Sequence, residues 1–306
     1  SRRIVKDKID LSMSLDKTIG SRPLLNVQNL CTYFFTRRGV IKAVNGVTIQ
    51  IMPGETIGLV GESGSGKTII CLSILKLLPR GARIVSGDVI FDGQNLVNAT
   101  ERTMERIRGN RIGMILQDSM AALDPVFTIG TQVGEPLIAH QQMSWKAALS
   151  RSVELLRMVK IKAPEMRIRN FPHELSGGMR QRSSSAASIG PQPELLIADE
   201  PTTSIDVTTQ RQYVDLLKEL QMTNGMSIIF ITHDISIVGN LCDKLVVLYG
   251  GIVVETGLKD QILKNPQHPY TEALLKAIPI LGDKKDRLHT IKGEPPDAGN
   301  LPSGCP

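Results

Sequence analysis

The sequence predicts an α/β fold built around a parallel β-sheet. Short apolar strands alternate with amphipathic helices along most of the chain, which is the usual pattern of such a sheet. A glycine-rich loop joins one of these strands to a helix, and a second apolar strand ends in two carboxylates. Together the three observations favour a nucleotide-binding α/β protein.

The glycine-rich loop has the sequence GESGSGKT and runs from Gly61 to Thr68. The apolar run 56–60 predicts a buried strand before it, and the apolar spacing over 68–78 predicts a helix after it. Glycines let backbone N–H groups point at phosphate oxygens, a lysine reaches the outer phosphates, and a threonine hydroxyl ligates Mg²⁺. The candidate nucleotide contacts are Gly61, Ser63, Gly64, Ser65, Gly66, Lys67, Thr68 and the next position, Ile69.

The second signal is the run LLIADE at 195–200, an apolar strand that ends in Asp199 and Glu200. Beside a phosphate-binding loop, Asp199 is expected to hold Mg²⁺ together with Thr68. Glu200 is expected to polarise the water that attacks the γ-phosphate. Without the loop, the same run is typical of a solvated strand end.

The remaining elements follow the same alternation. A strand is expected at 24–30, followed by three aromatic residues at 33–35. Residues 40–52 predict a strand pair that turns at Asn45-Gly46 and closes at Pro53-Gly54. Helical spacing dominates 128–171, and further elements are predicted at 112–116, 195–197, 207–222, 227–231, 245–248 and 252–254.

The run LSGGMRQR at 175–182 carries a serine and two glycines at the start of a helix. Alone it is also typical of a simple helix N-cap at Ser176. Together with Gln117, Asp206 and His233, it resembles the ATP-binding-cassette (ABC) ATPases, the nucleotide-binding subunits of transporters. The resemblance covers residues 24–306.

The resemblance implies a P-loop NTPase cassette with a RecA-like core and an antiparallel β subdomain. The expected ABC ATPase domain spans 23–257 and contains an inserted all-helical subdomain at about 118–175. A polar N-terminal segment, 1–22, is expected to be disordered, and a C-terminal extension occupies 258–306. ATP and Mg²⁺ are the implied cofactors.

The resemblance also implies roles for individual residues. Ser176, Gly177 and Gly178 would close over a γ-phosphate held by the other subunit of a dimer. Gln117 would ligate or sense Mg²⁺, and His233 would hydrogen-bond the γ-phosphate, although a histidine at a strand end is also typical of a structural residue. The aspartate of the loop that couples the two sites is Asp206. The aromatic residue that stacks on adenine is assigned to Phe34, with Tyr33 and Phe35 as rivals.

The segment NPQHPYTEALL at 265–275 resembles the C-terminal region of ATPases from dipeptide, oligopeptide and nickel importers. It implies an ATPase that powers uptake of short peptides, with nickel or glutathione as alternative cargo. The implied partners are two transmembrane permease subunits, a second related ATPase or a second copy of this chain, and indirectly an extracytoplasmic substrate-binding protein. The expected location is the cytoplasmic face of the cell membrane. Cys305 matches the start of an iron–sulfur cluster motif, but the other ligands are absent and a free thiol is expected.

Net charge is +6 and the pI is about 9.2, which permits a soluble cassette ATPase acting on nucleic acid. The basic residues are scattered, and the stretch between Lys67 and Ser176 is too short for the long coiled coil of the repair type. A single cassette argues against the translation type, so no nucleic-acid partner is expected. A regulator without turnover is disfavoured because Asp199, Glu200, Gln117 and His233 are all present.

One departure from the family is the triplet Ser183-Ser184-Ser185, where relatives usually carry apolar residues. Serine lowers helix propensity by roughly 0.5 kcal/mol relative to alanine and bonds back to the preceding turn. We expect the nucleotide contacts to survive, while the triplet puts the packing and stability of this helix in question.

Overall fold

The computed structural model describes residues 22–118, 122–203, 205–277, 299 and 302. Its strands are β1 Leu25–Thr36, β2 Gly39–Ile51, β3 Thr56–Val60, β4 Ala82–Phe91, β5 Gln94–Asn95, β6 Ile112–Ile115, β7 Leu195–Asp199, β8 Ser227–Thr232, β9 Lys244–Tyr249 and β10 Ile252–Leu258. Its helices are α1 Lys67–Ile74, α2 Glu101–Ile107, α3 Ile129–Gln141, α4 Trp145–Met158, α5 Pro164–Arg167, α6 Gly177–Ile189, α7 Val207–Asn224, α8 Ile235–Leu241, α9 Lys259–Lys264 and α10 Pro269–Lys276. A 3₁₀ turn, Pro172–Glu174, precedes α6.

The central sheet has six strands in the order β10-β9-β3-β8-β7-β6. All neighbours are parallel except the antiparallel edge pair β9–β10. Every residue of β3, β7 and β8 is buried, because hydrophobic clusters cover both faces of the sheet. Strands that are buried on two faces have continuous apolar sequences, and such runs are the signal from which the sheet was predicted. The predicted α/β fold is confirmed.

A second, antiparallel sheet has the order β2-β1-β4-β5 and contains the predicted first strand. The predicted turn at Asn45-Gly46 is wrong: both residues lie inside the single strand β2. Between the pairs Leu30–Val47 and Thr32–Val44, β2 contains one more residue than β1. Gly46, with φ +73°, absorbs this bulge, so a dipeptide typical of hairpin turns here marks an irregularity within a strand.

Helices dominate 129–189. Thr128 and Ser144 cap α3 and α4, each accepting a hydrogen bond from the backbone N–H three residues later. The two helices pack closely, and Ser152 donates a hydrogen bond to the Gly130 carbonyl at 3.3 Å. The inserted helical subdomain stays a prediction as a domain, and its boundary near 118 adjoins residues outside the described part of the chain.

The predicted C-terminal end of the helix that follows the glycine-rich loop is wrong. Helix α1 ends at Ile74 rather than Leu78, since Lys76 has φ +51° and the side chain of Arg108 donates hydrogen bonds to the carbonyls of Leu75 and Lys76.

Nearly all of the N-terminal segment 1–22, and most of the C-terminal extension including Cys305, lie outside the described residues. Within the described part of the chain, no helix has the length and apolarity needed to span a bilayer.

Candidate functional site

The glycine-rich loop lies between the central sheet and the antiparallel sheet, where two of its glycines leave no room for a side chain. A Cβ on Gly61 would lie 2.2 Å from the Leu248 carbonyl oxygen at the end of β9. A Cβ on Gly66, which has φ +99°, would lie 2.4 Å from the Ala43 carbonyl oxygen of β2. The loop is therefore held against backbone on both sides, while Ser63 and Gly64 remain exposed at its crest.

Lys67 is folded back onto this loop. Its Nζ donates hydrogen bonds to the carbonyls of Gly61 and Glu62, both at 2.7 Å, and to Ser65 Oγ at 3.3 Å. Burial lowers the pKa of Lys67, and the nearby carboxylates of Glu200 and Asp199 act in the opposite direction. The ammonium group thus lies beneath the loop with two acidic residues in its surroundings, where it can meet phosphate oxygens.

Thr68 and Asp199 lie side by side. The Thr68 hydroxyl donates to Asp199 Oδ1 at 3.2 Å, and Asp199 is 2% exposed at the end of β7. Burial raises the pKa of this carboxyl, and the hydrogen bond from Thr68 opposes that effect. A hydroxyl and a carboxylate are hard oxygen donors of the kind Mg²⁺ binds alongside water and phosphate oxygens. The pair therefore fits part of a magnesium shell.

Glu200 is the point on which three side chains converge. Its Oε2 accepts hydrogen bonds from Gln117 Nε2 at 3.1 Å and from the Thr203 hydroxyl at 3.0 Å, and it lies 3.2 Å from His233 Nδ1. The residue is 8% exposed, and its N–H donates to the Ile231 carbonyl. These contacts hold the carboxylate in one orientation.

The backbone of Glu200 adds a constraint, because its φ is +42°. A non-glycine residue in the left-handed region costs roughly 1–2 kcal/mol. Such conformations cluster at functional sites, where the surrounding structure enforces them. The turn directs the Glu200 side chain away from the strand direction of β7 and towards Gln117 and His233.

His233 and Gln117 reach Glu200 from different strands. His233 follows β8, and its side chain remains 51% exposed although Nδ1 faces Glu200. Gln117 follows β6 and is exposed. The carboxyl ends of three parallel strands, β6, β7 and β8, thus bring these side chains together, as expected for the functional edge of an α/β sheet.

The serine–glycine segment begins α6. Ser176 is the N-cap and accepts from the Met179 N–H at 3.4 Å, with Gly177 and Gly178 in the first turn. These three residues line a groove of about 500 Å³ that also contains Asp206. The groove is rich in cationic side chains: Lys160, Lys162, Arg167 and Arg182. Among the described residues, its lining includes none from the glycine-rich loop.

Asp206 caps α7 in this structure. Its carboxylate accepts from the Thr209 N–H at 2.9 Å, and hydrogen bonds from Thr209 lower its pKa. Ser204, two positions before Asp206 in the predicted coupling loop, lies outside the described part of the chain. The structure therefore gives Asp206 a local capping contact and places it in the same groove as Ser176.

The serine triplet of α6 is buried, and two of its hydroxyls have clear partners. Ser183 donates to the Met179 carbonyl at 2.9 Å, and Ser185 donates to the Gln181 carbonyl at 2.8 Å. Ser185 Oγ also lies 2.6 Å from the hydroxyl of Tyr213 in α7. Helix α6 is continuous through the triplet, because these polar groups find partners inside the protein.

The three aromatic candidates separate by strand face. Thr32 Oγ1 lies 2.8 Å from Ser73 Oγ of α1, so alternation places Phe34 on the face of β1 that adjoins this helix. Tyr33 instead donates to Asn45 Oδ1 at 2.8 Å, and Phe35 lies under the Arg83 guanidinium at 4.0 Å. Ile69, the last position of the predicted contact set, is partly buried and packs against the core.

Two protein-family models match the chain. The ABC transporter model matches residues 44–203, more than half of the chain. The chain belongs to the ABC transporter family. A second model, for the C-terminal region of oligopeptide/dipeptide transporters, matches residues 254–306. The family resemblance inferred from the motifs is thereby confirmed.

Curated relatives of this ABC protein include two ATP-binding proteins of peptide transport. The oligopeptide transport ATP-binding protein OppD of Bacillus subtilis is 46% identical over 283 residues, covering 92% of this chain and 79% of that protein. The dipeptide transport ATP-binding protein DppD of Lactococcus lactis subsp. cremoris is 44% identical over 282 residues, covering 92% and 81%. Both alignments span most of the two proteins compared.

Solved structures support the cassette fold. An ATP-binding cassette in a dimeric post-hydrolysis state, bound to ADP and Pi, is 27% identical with a TM-score of 0.69, covering 77% of this chain and 98% of that one. The cbiO1 protein of Clostridium perfringens, part of the ABC transporter complex cbiONQ, is 25% identical with a TM-score of 0.68, covering 79% and 91%. The predicted fold class is confirmed.

Two residues of the site escape sequence reasoning. Thr203 bonds Glu200 from three positions away, and the only available signal was a hydroxyl in the turn after the acidic pair. Tyr270, in the C-terminal segment, contacts the phosphate-binding loop across 208 positions of sequence. No local pattern predicts a contact over such a distance.

Proposed function

We propose that this chain is the ATP-hydrolysing subunit of an ABC importer for dipeptides or oligopeptides. The observation that carries the proposal is the convergence of Gln117, Thr203 and His233 on one oxygen of Glu200, next to the pair formed by Thr68 and Asp199. A fixed carboxylate beside a phosphate-binding loop is the arrangement that nucleotide hydrolysis requires. The family models and the named relatives support peptide import.

In this proposal the loop from Gly61 to Thr68 binds the phosphates of ATP through its backbone N–H groups. Lys67 exchanges its bonds to the Gly61 and Glu62 carbonyls for phosphate oxygens. Thr68, Asp199 and Gln117 would hold Mg²⁺, which supplies charge neutralisation of the β- and γ-phosphates when bound. Phe34 stacks on adenine, because its strand face adjoins the helix that follows the loop.

Hydrolysis is proposed to proceed at Glu200. Because Oε2 already accepts bonds from Gln117 and Thr203, the second oxygen is left to accept a proton from the attacking water. The water oxygen forms a bond to the γ-phosphorus, the bond from that phosphorus to the bridging oxygen breaks, and ADP leaves with the electron pair. His233, whose Nδ1 lies 3.2 Å from Glu200 Oε2, would donate a hydrogen bond to the γ-phosphate.

The groove at Ser176 is proposed to serve the ATP bound by a second cassette. Helix N-terminal N–H groups of Gly177 and Gly178, with four cationic neighbours, favour a polyanion. Asp206 lies in the same groove, so it can couple the two sites of the dimer. A second, related ATPase is the proposed partner, with a homodimer of this chain as the alternative; the dimeric form of a solved cassette supports either arrangement.

Two transmembrane permease subunits are proposed to dock on the helical segment. The exposed apolar side chains of this segment include Val126, Phe127, Met166 and Phe171. The Ile129 N–H bonds the Asn170 carbonyl, which brings the segments that contain Phe127 and Phe171 together. The ATPase would then lie on the cytoplasmic face of the membrane, and an extracytoplasmic binding protein would deliver the peptide.

The experiment is affinity purification of the tagged full chain from detergent-solubilised membranes, with the co-purifying proteins identified by mass spectrometry. We expect two permease subunits and a second cassette ATPase. A matched variant, Phe127→Asp, should lose the permeases and still bind ATP, because Phe127 is 51% exposed and is not part of the nucleotide site. Ribosomal proteins or nucleic acid without a permease would contradict the proposal.

A cargo screen completes the test. The binding protein recovered with the permease would be titrated with di-, tri- and tetrapeptides, with chelated nickel and with glutathione. Binding of peptides alone would support the proposed cargo. Selective binding of nickel or glutathione would retain the importer and contradict the peptide assignment.

A further inference from the structure

The C-terminal helix α10 touches the phosphate-binding loop. The backbone N–H of Glu62, the second residue of the loop, donates a hydrogen bond to the hydroxyl of Tyr270 at 3.2 Å. The carbonyl of the same residue accepts from Lys67 Nζ at 2.7 Å. One loop residue is thus bonded to Lys67 on one side and to the C-terminal segment on the other.

The side chain of Tyr270 is held in place by burial and by a ring contact. It is 7% exposed, and its ring contacts the ring of Tyr249 with centroids 4.4 Å apart. Tyr249 ends β9, and the preceding carbonyl of Leu248 is the one that underlies Gly61. The end of β9 therefore supports both the first residue of the loop and the tyrosine that bonds the second.

The start of α10 is anchored to the edge strand of the central sheet. Glu255 of β10 accepts from the N–H of Gln267 at 2.8 Å and from the N–H of His268 at 3.1 Å. His268 Nδ1 in turn accepts from the N–H of Tyr270 at 3.2 Å and caps the helix. This short chain of hydrogen bonds connects Glu255 in β10 with Tyr270, so the position of the hydroxyl is set by the sheet.

The chemistry of the hydroxyl suits the contact. Burial raises the pKa of Tyr270 to about 12, so the hydroxyl is neutral over the physiological range. A neutral oxygen accepts the Glu62 N–H without placing negative charge beside the phosphates. Removing it would leave a loop N–H without its partner and free the loop to adopt other conformations.

We propose that Tyr270 is a positioning residue for the phosphate-binding loop, through which the C-terminal segment sets the affinity of the site for ATP. The inference rests on the proposed ATP-binding function and extends it to a part of the chain outside the cassette motifs. A loop held in its binding conformation before ATP arrives loses less conformational freedom on binding. Movement of α10 away from the loop would therefore weaken ATP binding.

The test is Tyr270→Phe in the full chain, which removes one oxygen and keeps the ring. Titration calorimetry with Mg-ATP should show a Kd raised about three- to tenfold, the effect expected for one hydrogen bond. Hydrogen exchange should be faster at the Glu62 amide. In the reconstituted transporter, KM for ATP should rise while kcat stays within about twofold of the wild-type value, because Glu200 and its partners are untouched.

Leu274→Val is the matched control, since Leu274 lies on the same helix, is 9% exposed and belongs to the hydrophobic core. It should lower the thermal unfolding midpoint and leave the Kd for Mg-ATP unchanged. Equal weakening by both variants would reduce Tyr270 to a structural residue and overturn the inference. An unchanged Kd for Mg-ATP in Tyr270→Phe, with normal binding by the wild type, would overturn the role of Tyr270 and leave the proposed function intact. Absence of ATP binding by the wild type would overturn the proposed function as well.

Discussion

The side-chain amide of Gln117 donates a hydrogen bond to Oε2 of Glu200 across 3.1 Å. Gln117 follows β6 and precedes the helical segment in the sequence, whereas Glu200 follows the neighbouring strand β7. If a permease docks on the helical segment as proposed, its movement would act through Gln117 on the carboxylate that we propose as the general base.

Thr203 is expected to matter for turnover and not for nucleotide binding. Thr203→Val keeps the shape of the side chain and removes the hydroxyl that bonds Glu200, so kcat for ATP should fall about three- to tenfold with an unchanged Kd. Thr202→Val is the control, because that hydroxyl accepts from Gln210 instead. Steady-state hydrolysis assays distinguish the two, and equal effects in both variants would argue against a specific role for Thr203.

The adenine contact can be assigned by substituting each of the three aromatic candidates. Stacking of a base on an aromatic side chain contributes about 1–3 kcal/mol. Phe34→Ala should therefore raise the Kd for ATP at least about fivefold, and Phe34→Tyr should restore it. Tyr33→Ala and Phe35→Ala should have smaller effects, because these side chains contact Asn45 and Arg83 on the other face of β1. A larger loss in either one would move the assignment to that residue.

The buried contact between Ser185 and Tyr213 joins the helix of the serine–glycine segment to the helix capped by Asp206. A double-mutant cycle of Ser185→Ala and Tyr213→Phe should give a coupling energy of about 0.5–1.5 kcal/mol in denaturant unfolding. Ser185→Ala combined with Tyr33→Phe should be additive, since Tyr33 bonds Asn45 in the other sheet. Additivity in the first cycle would show that the hydrogen bond contributes nothing to stability.

Alkaline pH should destabilise the protein through the same tyrosine. Burial raises the pKa of Tyr213 to about 12, whereas an unfolded tyrosine ionises near pH 10. The stability this provides is fully present below pH 10 and is lost as the pH rises through 12. Between pH 10 and pH 12, the free energy of unfolding of the wild type should thus fall by roughly 2–3 kcal/mol more than that of Tyr213→Phe. Parallel pH profiles for the two proteins would contradict the prediction.

Much of the fold was predictable because buried strands and the phosphate-binding loop leave local signals. The runs that form β3, β7 and β8 are apolar except at their ends, and the glycine positions reflect backbone contacts at Leu248 and Ala43. The family followed from short motifs in a fixed order, and the family models confirmed it.

Other features depend on contacts between distant residues and could not be predicted. Asn45-Gly46 has the sequence of a hairpin turn. Because β2 pairs with β1 on both sides of this dipeptide, the dipeptide forms a bulge within the strand instead. The serine triplet suggested a weakened helix, whereas the partner that satisfies Ser185 comes from a helix 28 positions away. Tyr270 contacts the phosphate-binding loop because β9 pairs with β3, the strand that precedes this loop. The chain then continues through β10 to α10, which carries Tyr270.

The central claim, that Glu200 drives ATP hydrolysis in a cassette that binds ATP through Lys67, is tested most directly by measuring Mg-ATP binding and hydrolysis in parallel. Glu200→Gln should bind with a Kd close to that of the wild type, lose activity by about a hundredfold or more, and accumulate as a closed dimer. Lys67→Ala should weaken binding itself, because it removes the buried ammonium. Wild-type turnover in Glu200→Gln would contradict the account.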